Sequence, residues 1–423
     1  MSLPRLQRLA VIGQGYVGIP VSMRAVDAGF DVVGFDLAKD RVDRLRRGES
    51  FIDDVSDADL DAAIATGRFH ATEDPTDLIG FDYAVVTVPT PLLDGVPDLS
   101  SIEQAALALA PHVSRGCCVI LESTTYPGTT EDVFIPLLES AGPLRAGRDF
   151  HVGYSPERID PSNRSWGFRN TPKIISGVDS GSLLAVSRLY NLLVDEIVPV
   201  PHIREAEMAK LLENTFRHVN IALVNELAMY CKGLDIDVWS VIDAASSKPF
   251  GFMRFTPGPG VGGHCLPIDP TYLSWQVRRT LGQTFRFVEI ANDINDHMPD
   301  YVVRRAVLNL NSRGLAVNGS TILLVGLAYK ANSGDARKSP AVIVADQLAA
   351  LGGRVTAIDP LVAPEQIPSS VEVVAGTNEE IAAADLVVVL TDHDDVNWAA
   401  IQRQFGRVLD TRNRLRGASV DRL

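Results

Sequence analysis

The fold is decided near the start of the chain by residues 9–18, which read LAVIGQGYVG. The apolar residues predict a short buried strand, and the glycines of a GxGxxG motif follow it directly. A helical pattern then runs through Ala28, Gly29 ends it, and a second apolar run, Asp31–Phe35, stops at Asp36. A lone GxGxxG is a weak signal. A strand before it, a helix after it and an acid beyond the next strand together predict a dinucleotide-binding βαβ unit.

This unit predicts how a dinucleotide binds. The glycines let a pyrophosphate approach the helix N-terminus, where free N–H groups and the helix dipole favour anions. Asp36 is placed to accept hydrogen bonds from a ribose diol, and its charge repels a 2′-phosphate, so we expect NAD rather than NADP. Arg41 either flanks the adenosine or is a solvated helix charge. The cofactor residues expected here are Gly13, Gly15, Tyr16, Val17, Gly18, Asp36 and Arg41.

Composition narrows the class of protein. A chain of 423 residues is too long for one ordinary domain, and 46% hydrophobic residues suffice for real cores. The formal charge of −14 argues against a nucleic-acid partner. Four cysteines without a CxxC pair predict neither a metal site nor a disulfide framework. Because no apolar run reaches membrane-spanning length and a strand follows the N-terminus closely, we expect a cytoplasmic protein without a membrane partner.

Two further apolar runs of the first half end in polar turns. Residues Tyr83–Val88 are followed by Pro-Thr-Pro, and Val119–Leu121 by Glu-Ser-Thr-Thr. The carboxyl ends of parallel strands are where ligands of these folds bind, so these turns are expected to face the cofactor. Thr124 either contacts the cofactor, holds a water near the reacting carbon, or caps a helix. The additional cofactor residues are Pro89, Thr90, Ser123 and Thr124.

Polar side chains also occur next to the predicted cleft. Glu157 closes a strand and is a candidate base for a water molecule, although alone it would be an ordinary surface glutamate. The stretch Glu205–Leu234 has the apolar spacing of one long helix. On it, Lys210 and Asn214 are four residues apart and share a face, which suits an oxyanion or a sugar hydroxyl. They are otherwise solvated polar residues of that helix.

The densest run of glycine and proline is residues 257–270, PGPGVGGHCLPIDP. It predicts a rigid loop, because glycine lets a backbone approach a ligand and proline fixes the path of the chain. The loop contains one thiol, Cys265, with Asp269 four residues later. It either presents a nucleophile to a small polar substrate or is a structural turn with an incidental cysteine.

Strands and helices alternate again from Thr321 onward, which predicts a second parallel α/β domain without the full glycine fingerprint. Its first turn, residues 326–337, reads GLAYKANSGDAR. Lys330 and Arg337 in this turn either bind a diphosphate or are plain loop charges. We therefore predict an α/β protein with two Rossmann-like, doubly wound parallel-sheet domains joined by a long central helix. The expected division is 1–200, 201–305 and 306–423.

These motifs, in this order, resemble the UDP-glucose/GDP-mannose dehydrogenase family over nearly the whole chain. The resemblance implies an NAD domain, a central helix that forms a homodimer, and a C-terminal domain for the nucleotide sugar. It implies a four-electron oxidation of the sugar C6 alcohol to a carboxylate through a thiohemiacetal and a thioester on Cys265. The catalytic residues it implies are Cys265, Lys210, Asn214, Glu157, Asp269 and Thr124, with Arg337 at the cofactor edge. The substrate residues it implies are Glu157, Arg158, Lys210, Asn214, Arg254, Gly260, Gly262, Gly263, Tyr329 and Lys330.

The sequence departs from the UDP-glucose branch of this family. That branch has a second acid four residues after the Glu157 position, where this chain has Pro161. The glycine loop is more like that of UDP-N-acetylglucosamine and N-acetylmannosamine dehydrogenases, so we expect a UDP-N-acetylhexosamine, with UDP-glucose and dTDP-glucose left open. A non-catalytic nucleotide-sugar sensor would not need the thiol. A two-electron alcohol dehydrogenase would need a catalytic histidine, and neither His202 nor His218 stands in such a motif.

The ribose assignment is testable. In Asp36→Ala we expect weaker NAD binding, because the acceptor for the ribose hydroxyls is lost. Calorimetric titration with NAD measures the change, and an affinity equal to that of the unaltered protein would refute the assignment.

Overall fold

The computed structural model describes residues 6–52, 54–159, 165–263, 266–404, 406–417 and 420–423. The chain forms two compact units, of which the first ends at Glu213 and the second begins at Asn214. The α/β class, the two nucleotide-fold sheets and the long helix predicted from the sequence are confirmed. The division at residues 200 and 305 stays a prediction.

The first unit contains a sheet of eight strands among its described residues, in the order β10-β9-β8-β7-β4-β1-β2-β3, and a separate two-stranded hairpin, β5-β6. The strands are β1 (Arg8–Ile12), β2 (Asp31–Phe35), β3 (Phe69–Thr72), β4 (Tyr83–Val86), β5 (Leu92–Leu93), β6 (Val96–Pro97), β7 (Cys118–Leu121), β8 (His151–Tyr154), β9 (Lys173–Gly177) and β10 (Ile197–Pro199). The run from β3 to β8 has the strand order of the dinucleotide-binding fold. The switch point between β1 and β4 is where such folds bind their ligand.

Helices cover both faces of this sheet. They are α1 (Gly18–Asp27), α2 (Lys39–Arg46), α3 (Asp57–Ala65), α4 (Ser100–Leu109), α5 (Ile135–Leu138), α6 (Ser180–Leu193) and α7 (Ile203–Gly233). Side chains of one strand alternate between the two faces. In β1, Leu9 and Val11 belong to one apolar core, and Ala10 and Ile12 to the other. The strand is therefore buried on both sides, as a parallel strand between two helix layers must be.

The sheet departs from parallel pairing at one interface. Strand β9 runs antiparallel to β8, with Gly153 opposite Gly177 and Tyr154 opposite Ser176. A parallel neighbour needs a crossover that returns the chain to the starting edge, usually through a helix. The described residues between β8 and β9 contain no helix, so the chain turns back at the carboxyl edge of β8. The start of β9 therefore lies beside the end of β8.

Helix α7 runs through 31 residues, and the boundary between the two units falls inside it. Its predicted extent agrees with the structure within two residues at the N-terminus and one at the C-terminus.

The second unit repeats the nucleotide-fold topology. Its described residues form a six-stranded sheet in the order β13-β12-β11-β14-β15-β16, with parallel pairing throughout. The strands are β11 (Thr321–Val325), β12 (Arg354–Ile358), β13 (Glu372–Val373), β14 (Leu386–Val389), β15 (Val408–Asp410) and β16 (Asp421–Arg422). Gly326 follows β11 with φ +85°, and a Cβ there would lie 2.4 Å from Thr391 Cβ. Only glycine fits this first turn.

The helices of the second unit are α8 (Val238–Ser246), α9 (Asp269–Leu281), α10 (Arg286–Asp296), α11 (Met298–Ser312), α12 (Pro340–Ala350), α13 (Asn378–Ala383) and α14 (Trp398–Gln402). Helices α9, α10 and α11 follow one another with short connections. Gly282 ends α9 in the left-handed conformation with φ 64°, a conformation that glycine adopts at no steric cost.

Candidate functional site

The glycine turn after β1 exposes backbone where a pyrophosphate would bind. Gly13 has φ +93°, and a Cβ on Gly18 would lie 1.8 Å from Gly13 O, so both positions require glycine. A Cβ on Gly15 would meet no described heavy atom within 4 Å. Tyr16 is 45% exposed and Val17 is the N-cap residue of α1. The bare backbone at the start of α1 is the geometry that an anion at a helix N-terminus needs.

Asp36 is buried at the end of β2 and fixed by backbone donors. Its Oδ2 accepts a hydrogen bond from Gln14 N at 2.8 Å, and its Oδ1 accepts one from Ala38 N at 2.8 Å. Arg41 Nη1 lies 3.8 Å from Asp36 Oδ2, and its guanidinium lies 5.9 Å from the ring centre of Phe51. The carboxylate and the cation predicted to contact the adenosine side thus lie together.

Gln14 is a residue of this turn that the motif did not single out. It is fully buried, its Nε2 donates to Val11 O at 3.0 Å, and its Oε1 accepts from Ser22 Oγ at 3.2 Å. A Cβ at Gly34 would lie 2.8 Å from Oε1, so β2 has room for the amide only because of that glycine. Gln14 occupies a variable position of GxGxxG, and the motif therefore carried no signal for it.

The turns after β4 and β7 are joined by hydroxyl groups. Ser123 Oγ donates to Val88 O at 2.8 Å, and Thr90 Oγ1 donates to Thr124 O at 2.8 Å. Pro89 lies between the two partners on the first turn. The structure therefore brings these predicted cofactor residues to one place at the carboxyl edge of the sheet.

Glu157 follows β8 at the same edge and is mostly buried. Its Oε2 lies 2.7 Å from Lys173 Nζ, and its Oε1 accepts hydrogen bonds from Arg158 N at 2.6 Å and Ile159 N at 2.7 Å. Burial opposes the charge of this carboxyl, but the Lys173 ammonium, with the help of the Ile159 N–H, holds the pKa of Glu157 below its ordinary value. The positive charge of Lys210 acts in the same direction. Glu157 is therefore a carboxylate rather than a carboxylic acid near neutral pH.

Lys210 is buried on α7, with 7% of its surface exposed, and it has no hydrogen bond or ion pair with the described residues. A buried ammonium ordinarily has a compensating partner, because desolvation of a lone charge is costly. The charge of Lys210 is thus available to an anion. Arg158, in contrast, is engaged by Glu213, whose Oε1 lies 2.7 Å from Arg158 Nη2, and by Pro172 O at 2.7 Å.

In the second unit, Asn214 and Asp269 form a buried pair. Asn214 Nδ2 donates to Asp269 Oδ2 at 2.5 Å, and the two side chains are 4% and 3% exposed. Asp269 is the first residue of α9, where a negative charge is favoured by the helix dipole. The bond fixes the carboxamide of α7 that the sequence predicted as a hydrogen-bond donor.

The glycine loop packs against the turn after β11. Cβ atoms would lie 3.1 Å from Pro340 Cβ at Gly260, 2.7 Å from Tyr329 Cβ at Gly262, and 3.0 Å from the Tyr329 ring at Gly263. Gly260 and Gly263 also have φ +132° and +87°. Two motifs far apart in sequence therefore meet in the second unit, and this approach requires glycine. Cys265 and His264 lie outside the described residues.

A buried chain of amides anchors the start of this loop. Gly258 N donates to Asn225 Oδ1 at 2.9 Å, and Asn225 Nδ2 donates to Asn295 Oδ1 at 2.9 Å. Asn295 Nδ2 lies 3.4 Å from His218 Nδ1, and His218 Nε2 lies 2.7 Å from Asn292 Oδ1. Nε2 as the donor and Nδ1 as the acceptor satisfy both contacts of a neutral imidazole. The role of Asn225 becomes visible only from its contact with the loop. Helical spacing in the sequence gives no sign of this role.

The turn after β11 is fixed by hydrogen bonds to a buried aspartate. Asp359 Oδ2 accepts from Leu327 N at 2.7 Å and Ala328 N at 3.0 Å, and lies 3.1 Å from His393 Nε2. Burial would raise the pKa of this carboxyl, but His393 and the backbone donors hold it down at about 2. The carboxylate therefore stays charged and fixes the turn that carries Lys330.

Two predicted substrate or cofactor cations are already paired. Arg337 Nε and Nη2 lie 2.8 Å and 2.6 Å from the two carboxylate oxygens of Asp335. Arg254 Nη1 lies 2.7 Å from Asp243 Oδ1. Each guanidinium must exchange or share its carboxylate if it binds a phosphate.

Among the described residues, no group of three or more His, Cys, Asp or Glu is suited to a metal ion.

The first unit has the turn, the acid and the buried base candidate of a dinucleotide-dependent oxidoreductase, and the second unit is a further nucleotide fold. Comparison with known families is specific. The UDP-glucose/GDP-mannose dehydrogenase family matches through its NAD binding domain over residues 7–194, its central domain over 204–297 and its UDP binding domain over 323–417. The chain belongs to this family and is an NAD-dependent nucleotide-sugar dehydrogenase, as its sequence motifs predicted.

Individual relatives are similar over nearly their whole length. The UDP-N-acetyl-D-mannosamine dehydrogenase of Pyrococcus horikoshii is 34% identical over 416 residues, which cover 96% of this chain and 95% of that protein. The UDP-N-acetyl-D-glucosamine 6-dehydrogenase of Pseudomonas aeruginosa is 35% identical over 92% of this chain and 91% of that protein. The solved structure of the P. horikoshii enzyme has a TM-score of 0.88 and covers 99% of this chain and 98% of that one.

In the described part of this chain, no helix has the length and hydropathy for a membrane crossing.

The anchoring of the glycine loop is testable. In Asn225→Ala, Gly258 N and Asn295 Oδ1 lose a partner, and a buried polar group without a partner costs about 1–3 kcal/mol. We expect a loss of that size in the free energy of unfolding, measured by urea denaturation.

The matched control is Asn220→Ala on the same helix, where Nδ2 donates to Phe216 O at the helix surface. We expect a change within about 0.5 kcal/mol for this variant. Equal effects of the two substitutions would show that Asn225 does not hold the loop.

Proposed function

We propose that this protein oxidises the C6 hydroxyl of a nucleotide-diphosphate hexose to the uronic acid, with Cys265 as the nucleophile. The main support is the packing of the glycine loop, which immediately precedes Cys265, against Tyr329 and Pro340. Those two residues lie within the match to the UDP binding domain of the family. Cys265 is two residues beyond Gly263 in sequence, and the backbone of Gly263 contacts the nucleotide-sugar domain.

The thiol allows two oxidations of one carbon. NAD serves as the hydride acceptor for both oxidations. After the alcohol has become an aldehyde, the Cys265 thiolate adds to its carbon, and a C–S bond forms in a thiohemiacetal. Oxidation of that adduct gives a thioester. Water then bonds to the thioester carbon, a water proton is removed, the C–S bond breaks, and the carboxylate and thiolate are released.

Thiolate formation requires help from the site, because a free thiol has a pKa of about 8.5. The buried Lys210 ammonium supplies positive charge for the alkoxide and the oxyanions, and Asn214 is the second donor. Glu157 is the base for water, since it is held as a carboxylate. Asp269 fixes Asn214. Thr124 is assigned to a water or to the cofactor.

The remaining residues bind the two nucleotides. We propose that the cofactor contacts Gly13, Gly15, Tyr16, Val17, Gly18, Asp36, Arg41, Pro89, Thr90, Ser123 and Arg337. The substrate contacts Lys210 and Asn214, which stabilise the oxyanions. In addition, it contacts Arg158, Arg254, Gly260, Gly262, Gly263, Tyr329 and Lys330. For Arg158 and Arg254 this requires a change of partner, because both form ion pairs with carboxylates.

We propose a UDP-N-acetylhexosamine as the substrate. The relatives described above act, by their names, on UDP-N-acetyl-D-mannosamine and UDP-N-acetyl-D-glucosamine. UDP-glucose and dTDP-glucose are the alternatives. A binding protein without catalysis would have no use for a buried lysine that lacks a partner among the described residues, together with a buried, ionised glutamate.

We further propose that helix α7 forms the interface of a homodimer. Large apolar side chains recur along α7 and just beyond it at spacings of three, four or seven residues and remain exposed: Met208, Leu212, Phe216, Leu223, Leu227, Tyr230 and Leu234. At about 1.5 Å per residue, the helix offers a stripe roughly 45 Å long. Such a stripe matches a second copy of itself in a two-fold interface, and an apolar surface of this extent is unusual on a monomer.

The reaction is tested by counting. We expect two NADH per sugar when the purified protein is given a panel of UDP- and dTDP-sugars. Cys265→Ser is expected to stop complete turnover, because the hydroxyl is a far weaker nucleophile than the thiolate. Mass spectrometry of the sugar product would then detect aldehyde-level material.

One NADH per sugar would identify a two-electron alcohol dehydrogenase, and none would identify a binding protein. Full activity of Cys265→Ser would rule out the thioester route while leaving the NAD-dependent oxidation in place.

The interface is tested by Leu223→Glu, which places a charge in the middle of the apolar stripe. We expect this variant to run as a monomer in sedimentation velocity, where the unaltered protein runs as a dimer. The control is Leu184→Glu on α6, since Leu184 is similarly exposed, at 54% against 52% for Leu223, but lies outside the stripe. Dimers of both variants would place the interface elsewhere.

A further inference from the structure

Lys173 lies between two carboxylates in the interior of the first unit. Its Nζ lies 2.7 Å from Glu157 Oε2 and 3.2 Å from Glu122 Oε1, and the side chains of Lys173 and Glu122 are 4% and 0% exposed. Tyr190 OH donates a hydrogen bond to Glu122 Oε1. Neither Lys173 nor Glu122 was singled out by a motif. Because Lys173 contacts Glu157 directly, this cluster reaches the residue that we propose as the base for water.

The strand pairing makes this contact necessary. Continuing the antiparallel β8–β9 register by three residues places Lys173, the first residue of β9, opposite Glu157. Glu122 follows Leu121, which pairs with Tyr154 in the parallel β7–β8 register. Three neighbouring strand ends therefore position the cluster, and its geometry does not depend on a mobile surface side chain.

The pKa values of the two carboxyl groups in the cluster shift in opposite directions. Burial raises the pKa of Glu122, and the attraction of Lys173 offsets this only in part. For Glu157 burial also opposes the charge, but Lys173, the Ile159 N–H and Lys210 together outweigh burial and lower the pKa. Glu122 Oε2 is buried and has no hydrogen-bond partner among the described residues. Lys173 therefore interacts strongly with both carboxyl groups, and the shorter contact is the one to Glu157.

Hydrogen bonding leaves Glu157 little freedom. Two backbone N–H groups fill Oε1, and Lys173 takes one of the two lone pairs of Oε2. Among the described contacts, the remaining lone pair of Oε2 is the acceptor position left for a water molecule. Loss of Lys173 would leave Oε2 without its fixed donor and would open a second acceptor direction there.

We propose that Lys173 is a positioning residue for the hydrolysis step: held by Glu122 and Tyr190, it orients Glu157 and keeps it as a carboxylate, so that one lone pair faces the attacking water. This rests on the proposed function, because it needs a thioester that water cleaves. Lys173 touches no reacting atom. It acts through the direction and the charge of Glu157.

This role of Lys173 predicts that its loss shifts the pH dependence of thioester hydrolysis. The titratable groups that act on Glu157 are Lys173 from β9, Lys210 from α7, Glu122 from the turn after β7 and Tyr190 from α6. Lys173 is the largest favourable influence among them, and without it burial dominates. The pKa of Glu157 should then rise, so that hydrolysis is lost at a higher pH as the solution is acidified. The acid limb should move upward by about one pH unit or more.

The test is a single-turnover measurement of uronate release across pH with UDP-N-acetylglucosamine and NAD. We expect Lys173→Met to slow release at least tenfold near neutral pH, with the acid limb shifted upward and KM unchanged. Lys173→Arg should restore the limb, because it keeps the charge. Since Lys173→Met leaves two buried carboxylates, Lys173→Met combined with Glu122→Gln is measured too. This double variant has the net charge of the original cluster and keeps the test available if the single variant does not fold. It should move the acid limb in the same direction but by less, because the repulsion between Glu122 and Glu157 is removed as well.

Asp149→Asn is the matched control. Asp149 is a buried carboxylate that precedes β8 at the opposite edge of the sheet and is bound by Arg115 and Arg148. We expect it to leave the acid limb in place. An acid limb that is unmoved in the Lys173 variants, with slow hydrolysis in Glu157→Gln, would overturn the role of Lys173 and leave the proposed function intact. Unslowed hydrolysis in Glu157→Gln would overturn both the role of Glu157 and that of Lys173.

Discussion

Parallel strands end at one edge of a sheet, and every group that we assign to catalysis in the first unit apart from Lys210 on α7 follows or begins a strand at that edge. The glycine turn follows β1, Asp36 follows β2, and Glu157 follows β8. The antiparallel return to β9 adds Lys173 to the same edge. Chain direction thus determines which charges meet, and the side chains then adjust over short distances.

The buried cluster around Lys173 is difficult to explain by stability alone. Removing one partner of a buried ion pair costs about 3–5 kcal/mol, whereas replacing the whole pair with apolar side chains is often neutral or stabilising. A chain selected only for stability would have no need of Lys173 between two glutamates. A fixed and ionised Glu157 at the carboxyl edge of the cofactor domain's sheet would be a functional reason for keeping the charges.

Much of the fold and part of the site could be predicted from the sequence. An apolar run that ends at an acid predicted β2 to the residue, because buried parallel strands are short and uniformly apolar. Motif spacing also brought Lys210 and Asn214 to one helix. Lys173 could not be found, because its partner depends on the direction of β9, and no local signal encodes that direction. Asn225 could not be found either, since its partners lie on segments brought near by tertiary packing. Gln14 could not be found because it occupies a variable position of the glycine motif.

Covalent attachment of the sugar to Cys265 is measured most directly by intact-mass spectrometry. Glu157→Gln protein, mixed with NAD and UDP-N-acetylglucosamine and quenched in acid, should retain the thioester because hydrolysis is slow. We expect a mass increase equal to one acyl nucleotide sugar, located by peptide mapping on the fragment that contains Cys265. Turnover without any adduct, or an adduct on another residue, would contradict the thioester route.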